Sequence, residues 1–362
     1  MPTARASVPF RDSAGPRVRG SASSVGRRIT VHHSTGAPVT DLSVVVVTWN
    51  TKSLTLACLS QLQLALKAVH RRRDWSSEVI VVDNGSTDGT SSEVRQHFPE
   101  MTLKENEENL GFAAGVNRGL AKTCGRFVLL LNSDAFVGAA TVEACMDALG
   151  ADDAVGIVGP RLLHPDGRIQ RSVHTFPGVW NELLPGFIRD AGHSRRERSG
   201  GKEDGPQTLA VDALRGAVLF VRRALIQEIG PLAEDYFFFL EETDWCWRAR
   251  EHGWRILLVP HAPALHLLGE SSKRREPVRT RIEFQRSLDR FLRKHRGATS
   301  ARIVLFLRIG RGLLSGLLAL PAAVFSRGAR LRLSDRGRVL GWQLRGRPAG
   351  EGLEGWSGDP SD

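Results

Sequence analysis

The stretch "VVDNGSTDGT" (residues 81–90) decides how this chain is read. Four apolar residues, Val79 to Val82, stop at Asp83 and Asn84, and Gly-Ser-Thr-Asp-Gly follows as a turn and helix-start signal. Turn chemistry and an N-cap explain such a stretch in any protein. An acid and an amide at the tip of a buried strand also suit a ligand site, because ligands of open parallel sheets bind beyond the carboxyl ends of the strands. The two uses divide here. Asp83 is the ligand candidate, and Ser86, Thr87 or Asp88 is expected to cap the next helix.

Outward from this stretch, the pattern repeats. "LSVVVVT" (42–48), "EVIVV" (78–82) and "RFVLLL" (126–131) are continuous apolar runs, as in strands buried on both faces. Helical patterns follow at about 54–69, from about 88, at 112–122 and at about 140–149. Strand and helix in alternation, with short connections, predict parallel βαβ units and an α/β fold. Each of the three strands ends in a polar cluster: Thr48-Trp49-Asn50, Asp83-Asn84 and Asn132-Ser133-Asp134. One such end is ordinary turn chemistry; three in one parallel sheet converge on one crevice. After Gly159 the alternation loosens. A polar, Gly-rich loop is expected over 185–208, a strand at 217–221 and a helix at 241–252. The runs 255–259 and 262–268 close the body. A charged helix at 276–296 and a more apolar one at 301–325 follow.

Composition narrows the function. The 362 residues suit one large α/β domain with appendages, or two domains. Cys58, Cys124, Cys145 and Cys246 form no CxxC pair, which supports neither a zinc site nor a disulfide framework and fits a reducing compartment. Residues 1–40 carry six basic and one acidic residue and lack apolar periodicity, as a disordered basic arm would; no signal-peptide run occurs in them. Residues 41–270 carry 24 basic against 30 acidic residues, whereas 271–347 carry 20 against 4. The body is acidic and the basic excess lies at the ends. This points away from a nucleic-acid-binding core and toward a basic C-terminal surface.

The candidate chemistry is carried by a few groups. Trp49 offers a flat ring for a base to stack on, and Asp83 a carboxylate for a pyrimidine N–H. "NLGFAAGVNRG" (109–119) resembles a phosphate-cradling Gly loop entering a helix, though its glycines also suit close helix–sheet packing. Asp134, with an amide close by, suits Mg²⁺ or Mn²⁺, whose shell substrate phosphates complete. In "FFFLEETDWCWRAR" (237–250), Glu241, Asp244 and Arg248 share a helix face, and Asp244–Arg248 reads as an i,i+4 ion pair. Glu242 lies off that face at the helix start, where the dipole favours the ionised form a general base needs. His266 joins the site if its strand returns to Asp134.

Together these residues resemble the family 2 glycosyltransferases of GT-A fold, in particular the bacterial rhamnosyltransferase-like and galactofuranosyltransferase-like members. The resemblance runs from about Ser43 to Ser272, through "VVTWN", "VVDNGSTDGT", "NLGFAAGVNRG", "LLNSDA", "GAVLFVRR", "FFFLEETDWCWRAR" and "H..GESS". It implies a GT-A, Rossmann-like, mostly parallel sheet flanked by helices, with a C-terminal helical extension. By that resemblance Thr48, Trp49 and Asp83 hold the base, with Asn50 and Asn84 beside them. Asn109, Gly111 and Asn117 border the donor sugar and diphosphate. Asn132 and Asp134 form the DxD-like pair, Asp134 and His266 are metal ligands, and Glu242 is the base, with Glu241 and Asp244 as its neighbours. Two departures stand out. The family's Glu-Asp pair is Glu241-Glu242 here, and Ala233 in "GPLAED" replaces an Asp.

The resemblance implies an inverting, metal-dependent transferase. Its donor would be a dTDP-, UDP- or GDP-linked sugar, with rhamnose as the expected sugar, and its acceptor a cell-envelope glycan or lipid-linked saccharide. An inactive sugar-nucleotide-binding relative, motivated by Glu242 and Ala233, and a nucleotidyltransferase are the alternatives. The second lacks its expected Gly-rich, Arg-bearing loop, since "TWNTKS" follows the first strand. The expected organisation is a GT-A domain at 41–272, split near 137 into nucleotide-binding and acceptor halves. A basic helical extension at 273–347 and a flexible tail at 348–362 complete it. Within 303–325 the longest uncharged stretch, Gly312 to Phe325, is 14 residues. That is short of the roughly 20 a spanning helix needs and suits an amphipathic helix on an anionic membrane surface. The alternative is a helix packed on the body with solvated arginines outside. A cytoplasmic location, peripheral on the inner face of the membrane, is expected.

Overall fold

The computed structural model describes residues 40–183, 208–267 and 277–354. The basic arm up to residue 39, the loop expected over 185–208 up to residue 207, the "GESS" stretch (269–272) and the tail beyond residue 354 lie outside the described residues.

The first half runs β1 (Leu42–Thr48), α1 (Lys52–Arg73), β2 (Ser77–Asp83), α2 (Thr90–His97), β3 (Thr102–Glu105), α3 (Phe112–Leu120), β4 (Phe127–Asn132), β5 (Ala135–Val137) and α4 (Ala139–Gly150). Then come β6 (Val155–Leu163), β7 (Val173–His174), α5 (Val179–Leu183), β8 (Leu209–Ala210), β9 (Ala213–Leu214), β10 (Val218–Arg222), α6 (Arg223–Ile229), α7 (Glu241–Glu251) and β11 (Arg255–His266). Two long elements, α8 (Pro277–Phe325) and α9 (Arg327–Leu344), close the described chain. The helix expected from Asp88 begins two residues later, at Thr90.

Nine strands form one sheet in the order β3-β2-β1-β4-β10-β6-β11-β5, with β8 also on β11. The strands β1, β2, β3, β4, β6 and β11 run one way. The strands β5, β8 and β10 run the other way. The sheet is thus mostly parallel and the fold α/β, as the alternating pattern predicts. The antiparallel insertion of β10 between β4 and β6 is the feature that local periodicity does not reveal.

Period-two alternation divides the core. Val44, Val46, Val81, Leu129 and Leu131 face α1 and α4, while Val45, Ile80, Val82, Val128 and Leu130 face α3 and α7. Each fully buried aliphatic side chain stabilises by roughly 1.5–3 kcal/mol. These strands therefore fix the sheet far more firmly than any surface ion pair. Gly119 lets α3 lie close on β1, since a Cβ there would meet Val45 Cγ1 at 2.4 Å. The close-packing reading of "NLGFAAGVNRG" holds for this glycine.

Helix α7 is locked to α8 through Asp244. Its fully buried carboxylate pairs with Arg248 (2.8 Å), as the i,i+4 spacing predicts, and with Lys294 (2.8 Å) and His295 (2.7 Å) of α8. Burial alone would raise its pKa. Hydrogen bonds from His295, Lys294 and Arg248 outweigh burial and hold it at about 2. Beside it Trp247 packs on Phe176, Phe291 and His295. The helices read separately at 276–296 and 301–325 are two, meeting within α8 at Gly297, whose backbone (φ 82°) is not helical. Beyond the break α9 doubles back along α8, with Arg336 donating to the Ser315 carbonyl and Arg330 to the Ala323 carbonyl.

Asp244→Ala is expected to destabilise the fold by about 3 kcal/mol, the low end for breaking a buried ion pair, because water reaches Lys294. The depressed pKa makes the Asp244 contribution complete above the ordinary 3.8 and lost as pH falls toward 2. Urea midpoints of the parent and Asp244→Asn should therefore differ at pH 7 and converge toward pH 2. A constant difference would remove Asp244 as the joint.

Candidate active site

Register brings the polar strand ends together. Parallel pairing sets Thr48 opposite Asp83 and Val47 opposite Asn132, so the three clusters stand along one edge of the sheet. Antiparallel pairing of β11 with β5 sets His266 opposite Ala135, beside Asp134, and Leu267 N–H donates to the Asp134 carbonyl at 3.0 Å. The His266 strand does return to the Asp134 crevice.

Two adjoining cavities share Asn132, Asp134, Phe112 and Phe238. The smaller, about 110 Å³, is bordered by Thr48, Trp49, Asn84, Asn109 and Gly111. Thr48 Oγ1 lies 3.0 Å from Thr51 Oγ1 and 2.6 Å from Thr55 Oγ1, which ties the end of β1 to the start of α1. Asn84 organises the opposite wall. Its Nδ2 donates to Asn109 Oδ1 (2.9 Å) and the Gly111 carbonyl (3.0 Å), and its Oδ1 accepts from Asn106 Nδ2 (2.9 Å) and Leu110 N–H. Gly111 sits at φ +85°, and a Cβ there would come within 2.5 Å of the Phe237 carbonyl oxygen, which accepts from Phe112 N–H. Both the dihedral and the space demand glycine.

Three expected donor residues lie outside this lining. Asp83 is buried, its carboxylate accepting from Ser86 N–H at 3.0 Å and from the Ser91 hydroxyl. In this structure it serves the loop. Asn50, at φ 49°, accepts from Thr87 N–H (2.8 Å) and so joins that same loop to β1. Asn117 latches α3 to a distant loop: its Nδ2 donates to the Leu232 carbonyl (2.8 Å) and Glu234 (2.9 Å), and its Oδ1 accepts from Leu232 N–H. The cap position of α2 is Gly89, not Ser86, Thr87 or Asp88; Asp88, one residue before it, accepts from Lys52 N–H at 2.9 Å and Thr90 N–H at 3.1 Å.

The larger cavity, about 900 Å³, is lined by Asp134, His266, Glu241, Glu242, Arg215 and Arg281 among others. His266 has a defined tautomer. Gln170 Nε2 donates to the His266 carbonyl at 3.1 Å, so Gln170 Oε1 faces His266 Nδ1 at 2.7 Å and must accept its proton. The lone pair of Nε2 then points at Asp134 Oδ1, 3.4 Å away. A neutral His266 ring and Asp134 side by side can both ligate a cation, whereas a protonated ring would pair with the carboxylate directly. Asn132 Oδ1, buried and without a hydrogen-bond partner among the described residues, adds a further oxygen at the same rim. This donor set fits a divalent ion whose remaining positions are filled by phosphate oxygens.

Glu241 and Glu242 open α7, preceded by Phe239 and Leu240 at φ 73° and 66°. Burial, then the Glu242 and Glu283 charges, push the Glu241 carboxyl well above the ordinary glutamate value. Its Oε2 has no hydrogen-bond partner among the described residues. Burial also raises Glu242, opposed by helix-start N–H groups and Arg215. The helix-start dipole was expected to dominate at Glu242; burial wins instead. Gly216 makes room for it, since a Cβ there would lie 3.3 Å from Glu242 Cγ.

Sequence reading missed Gln170 and Leu353. Nothing local marks Gln170, and Leu353 lines the smaller cavity from the far end of the described chain. Its N–H donates to buried Glu283 at 3.2 Å.

Residues 43–202 match glycosyl transferase family 2. Over these residues the chain is similar to glycosyltransferase family 2. It is similar to an N-acetylglucosaminyl-diphospho-decaprenol L-rhamnosyltransferase of Mycobacterium tuberculosis, 29% identical over 276 residues, covering 71% of this chain and 88% of that one. A low-salt glycan biosynthesis hexosyltransferase of Haloferax volcanii is 24% identical over 243 residues, covering 62% of this chain and 67% of that one. A mannosyltransferase from Pyrobaculum calidifontis, solved with GDP-Man and Mn²⁺, is 19% identical, with a TM-score of 0.48 over 84% of this chain and 86% of that one. The family 2 match ends before α7 and β11, so Glu242 and His266 enter the candidate site on geometry.

Gly111→Ala should push the Phe237 backbone off the smaller cavity. Nucleotide affinity is expected to fall at least tenfold by calorimetry, with a melting-temperature drop of several degrees for the strained φ. Unchanged affinity would separate this wall from nucleotide binding.

Proposed function

We propose that this chain is a family 2 glycosyltransferase that moves a sugar, rhamnose on its similarity to the mycobacterial enzyme, from a dTDP-, UDP- or GDP-linked donor. The acceptor is a hydroxyl of a saccharide carried on a lipid diphosphate, and the anomeric centre inverts. The observation that carries the reading is one cavity with two chemistries: the fixed His266–Asp134 acceptor pair, and the Glu241–Glu242 pair at the start of α7.

The nucleotide occupies the smaller cavity, its base against Trp49 and Thr48, with the Asn84–Asn109–Gly111 wall toward the sugar and diphosphate. Asp134, His266 and Asn132 would hold Mg²⁺ or Mn²⁺. When bound, the ion offsets the negative charge of the leaving diphosphate. Gln170 keeps the His266 ring oriented for this by accepting from Nδ1. Glu242 takes the proton of the acceptor hydroxyl. The acceptor oxygen forms its bond to the anomeric carbon on the face opposite the diphosphate, and the bond from that carbon to the diphosphate breaks. Glu241, its carboxyl raised by burial and by the Glu242 charge, keeps a proton more readily than Glu242 does. It spares Glu242 a second adjacent charge. The protein works at the cytoplasmic face of the membrane, where nucleotide sugars are available.

Asp134→Ala should abolish Mn²⁺-dependent nucleotide affinity while leaving the melting temperature within a few degrees of the parent. Metal-dependent binding equal to the parent's would remove the ion from Asp134. Glu242→Gln should keep donor binding and lower turnover by about 10²–10⁴-fold. Because burial raises the Glu242 pKa, the base is lost as pH falls through a value above the ordinary 4.5, so the acid limb of the turnover profile should lie above 4.5. The limb should vanish in Glu242→Gln. A limb that survives would move the base elsewhere, and no turnover with any nucleotide sugar would leave a binding protein.

A further inference from the structure

We propose that the outward face of α8 beyond Gly297, with α9 beside it, is a docking surface for an anionic lipid bilayer, on which the protein lies without crossing it. Between residues 303 and 325 the charged residues are Arg308 and Arg311 alone. Both reach buried Glu182 of α5, at 2.7 and 3.2 Å, Arg308 mostly covered and Arg311 half exposed. The arginine side therefore lies toward the body, the reverse of a helix packed by its apolar side.

The opposite side is apolar and bare. Phe306, Leu313, Leu314, Leu317, Leu318 and Phe325 are all exposed, Leu318 at 73% and Phe325 at 89%. At 100° per residue they fall within an arc of roughly 140°, and both arginines fall outside it. The apolar stripe is uninterrupted by charge because Glu182 draws the two guanidiniums away from it.

What surrounds the stripe selects the occupant. From Arg302 to Leu344 the chain carries eight arginines and one acid, Asp335. Arg302, Arg327, Arg332 and Arg338 are exposed and have no ion-pair partner among the described residues. A second copy of this chain would bring the same cations against them, and like charges would repel across a twofold interface. A bilayer with anionic headgroups meets both demands, since acyl chains take the leucines and headgroups take the arginines. By length and composition α8 has an apolar window long enough to cross a membrane. Crossing would also draw in Arg308, Arg311, Glu182 and the arginine-rich α9, which doubles back along it. Lying flat needs none of this. Pro277, Thr280, Arg281 and Phe284, before the break at Gly297, line the larger cavity, so the segment that carries the surface follows directly on one that walls the site. That this brings a lipid-linked acceptor to Glu242 rests on the proposed function; the docking itself does not.

The test is flotation of the full chain with vesicles of phosphatidylcholine alone or with phosphatidylglycerol, with nucleotide binding as the control. Flotation with the anionic vesicles, released by high salt, is expected. Leu317→Asp with Leu318→Asp should lower it by about tenfold or more, as loss of an interfacial apolar face does, with melting temperature and nucleotide affinity unchanged. Leu317→Ser with Leu318→Ser serves if the acidic pair reduces stability. Arg302→Glu with Arg338→Glu should weaken flotation and its salt dependence. A parent that stays unbound at low salt, or variants that float as the parent does, overturns the proposal. Retention through high salt and alkali also overturns it and makes α8 a span. Self-association lost in the leucine variants, without vesicle binding, assigns the face to a second copy.

Discussion

The parallel register of β1 with β2 and β4 is the constraint on which the site depends. Val44 to Val47 are buried between neighbours on both sides, so a slip by one residue would exchange the two halves of the core. That cost fixes where the strands stop. Thr48, Asp83 and Asn132 end in a row because the hydrophobic runs before them cannot slide. The polar residues need no attraction to one another to meet. A second register, β11 against β5, brings His266 to Asp134 across 132 residues of sequence by the same means.

The other half of the site hangs on a buried charge. Asp244 draws Lys294 and His295 of α8 onto α7, one turn from Glu241 and Glu242. Ser287 adds a hydrogen bond to the Phe238 carbonyl at 2.8 Å. The extension that carries the apolar surface thus also braces the helix that carries the candidate base. Such a buried network is costly to break, and it holds the two parts in one arrangement.

How far these features were legible follows from their range. The strand cores, the helices between them and the order of the polar strand ends come from patterns within a few residues, and the sequence displays them. The Asp244–Arg248 pair, one helical turn apart, was legible for the same reason. Gln170 was not, because its partner His266 is 96 positions away and no period marks it. Asn117 and Asp83 had the residue type and spacing of ligand groups. Packing gave Asn117 to the Leu232 loop and Asp83 to Ser86 and Ser91. The pairing of Arg308 and Arg311 depends on Glu182, more than 120 residues earlier. Helical projection separated two faces without telling which one meets the body.

Leu353 carries a consequence for the order of events during synthesis. The smaller cavity is walled by Val47 from the first strand and by Leu353 from the last stretch described, about 300 residues apart. Chain elongation at roughly 5–20 residues per second separates the two walls by about 15–60 s. From Asn132 onward, most of that interval, β1, β2 and β4 have all the residues they need to pair, while the smaller cavity stands open on one side. Enclosure of the pocket follows the sheet in time, set by the arrival of a leucine and of the backbone N–H that Glu283 receives.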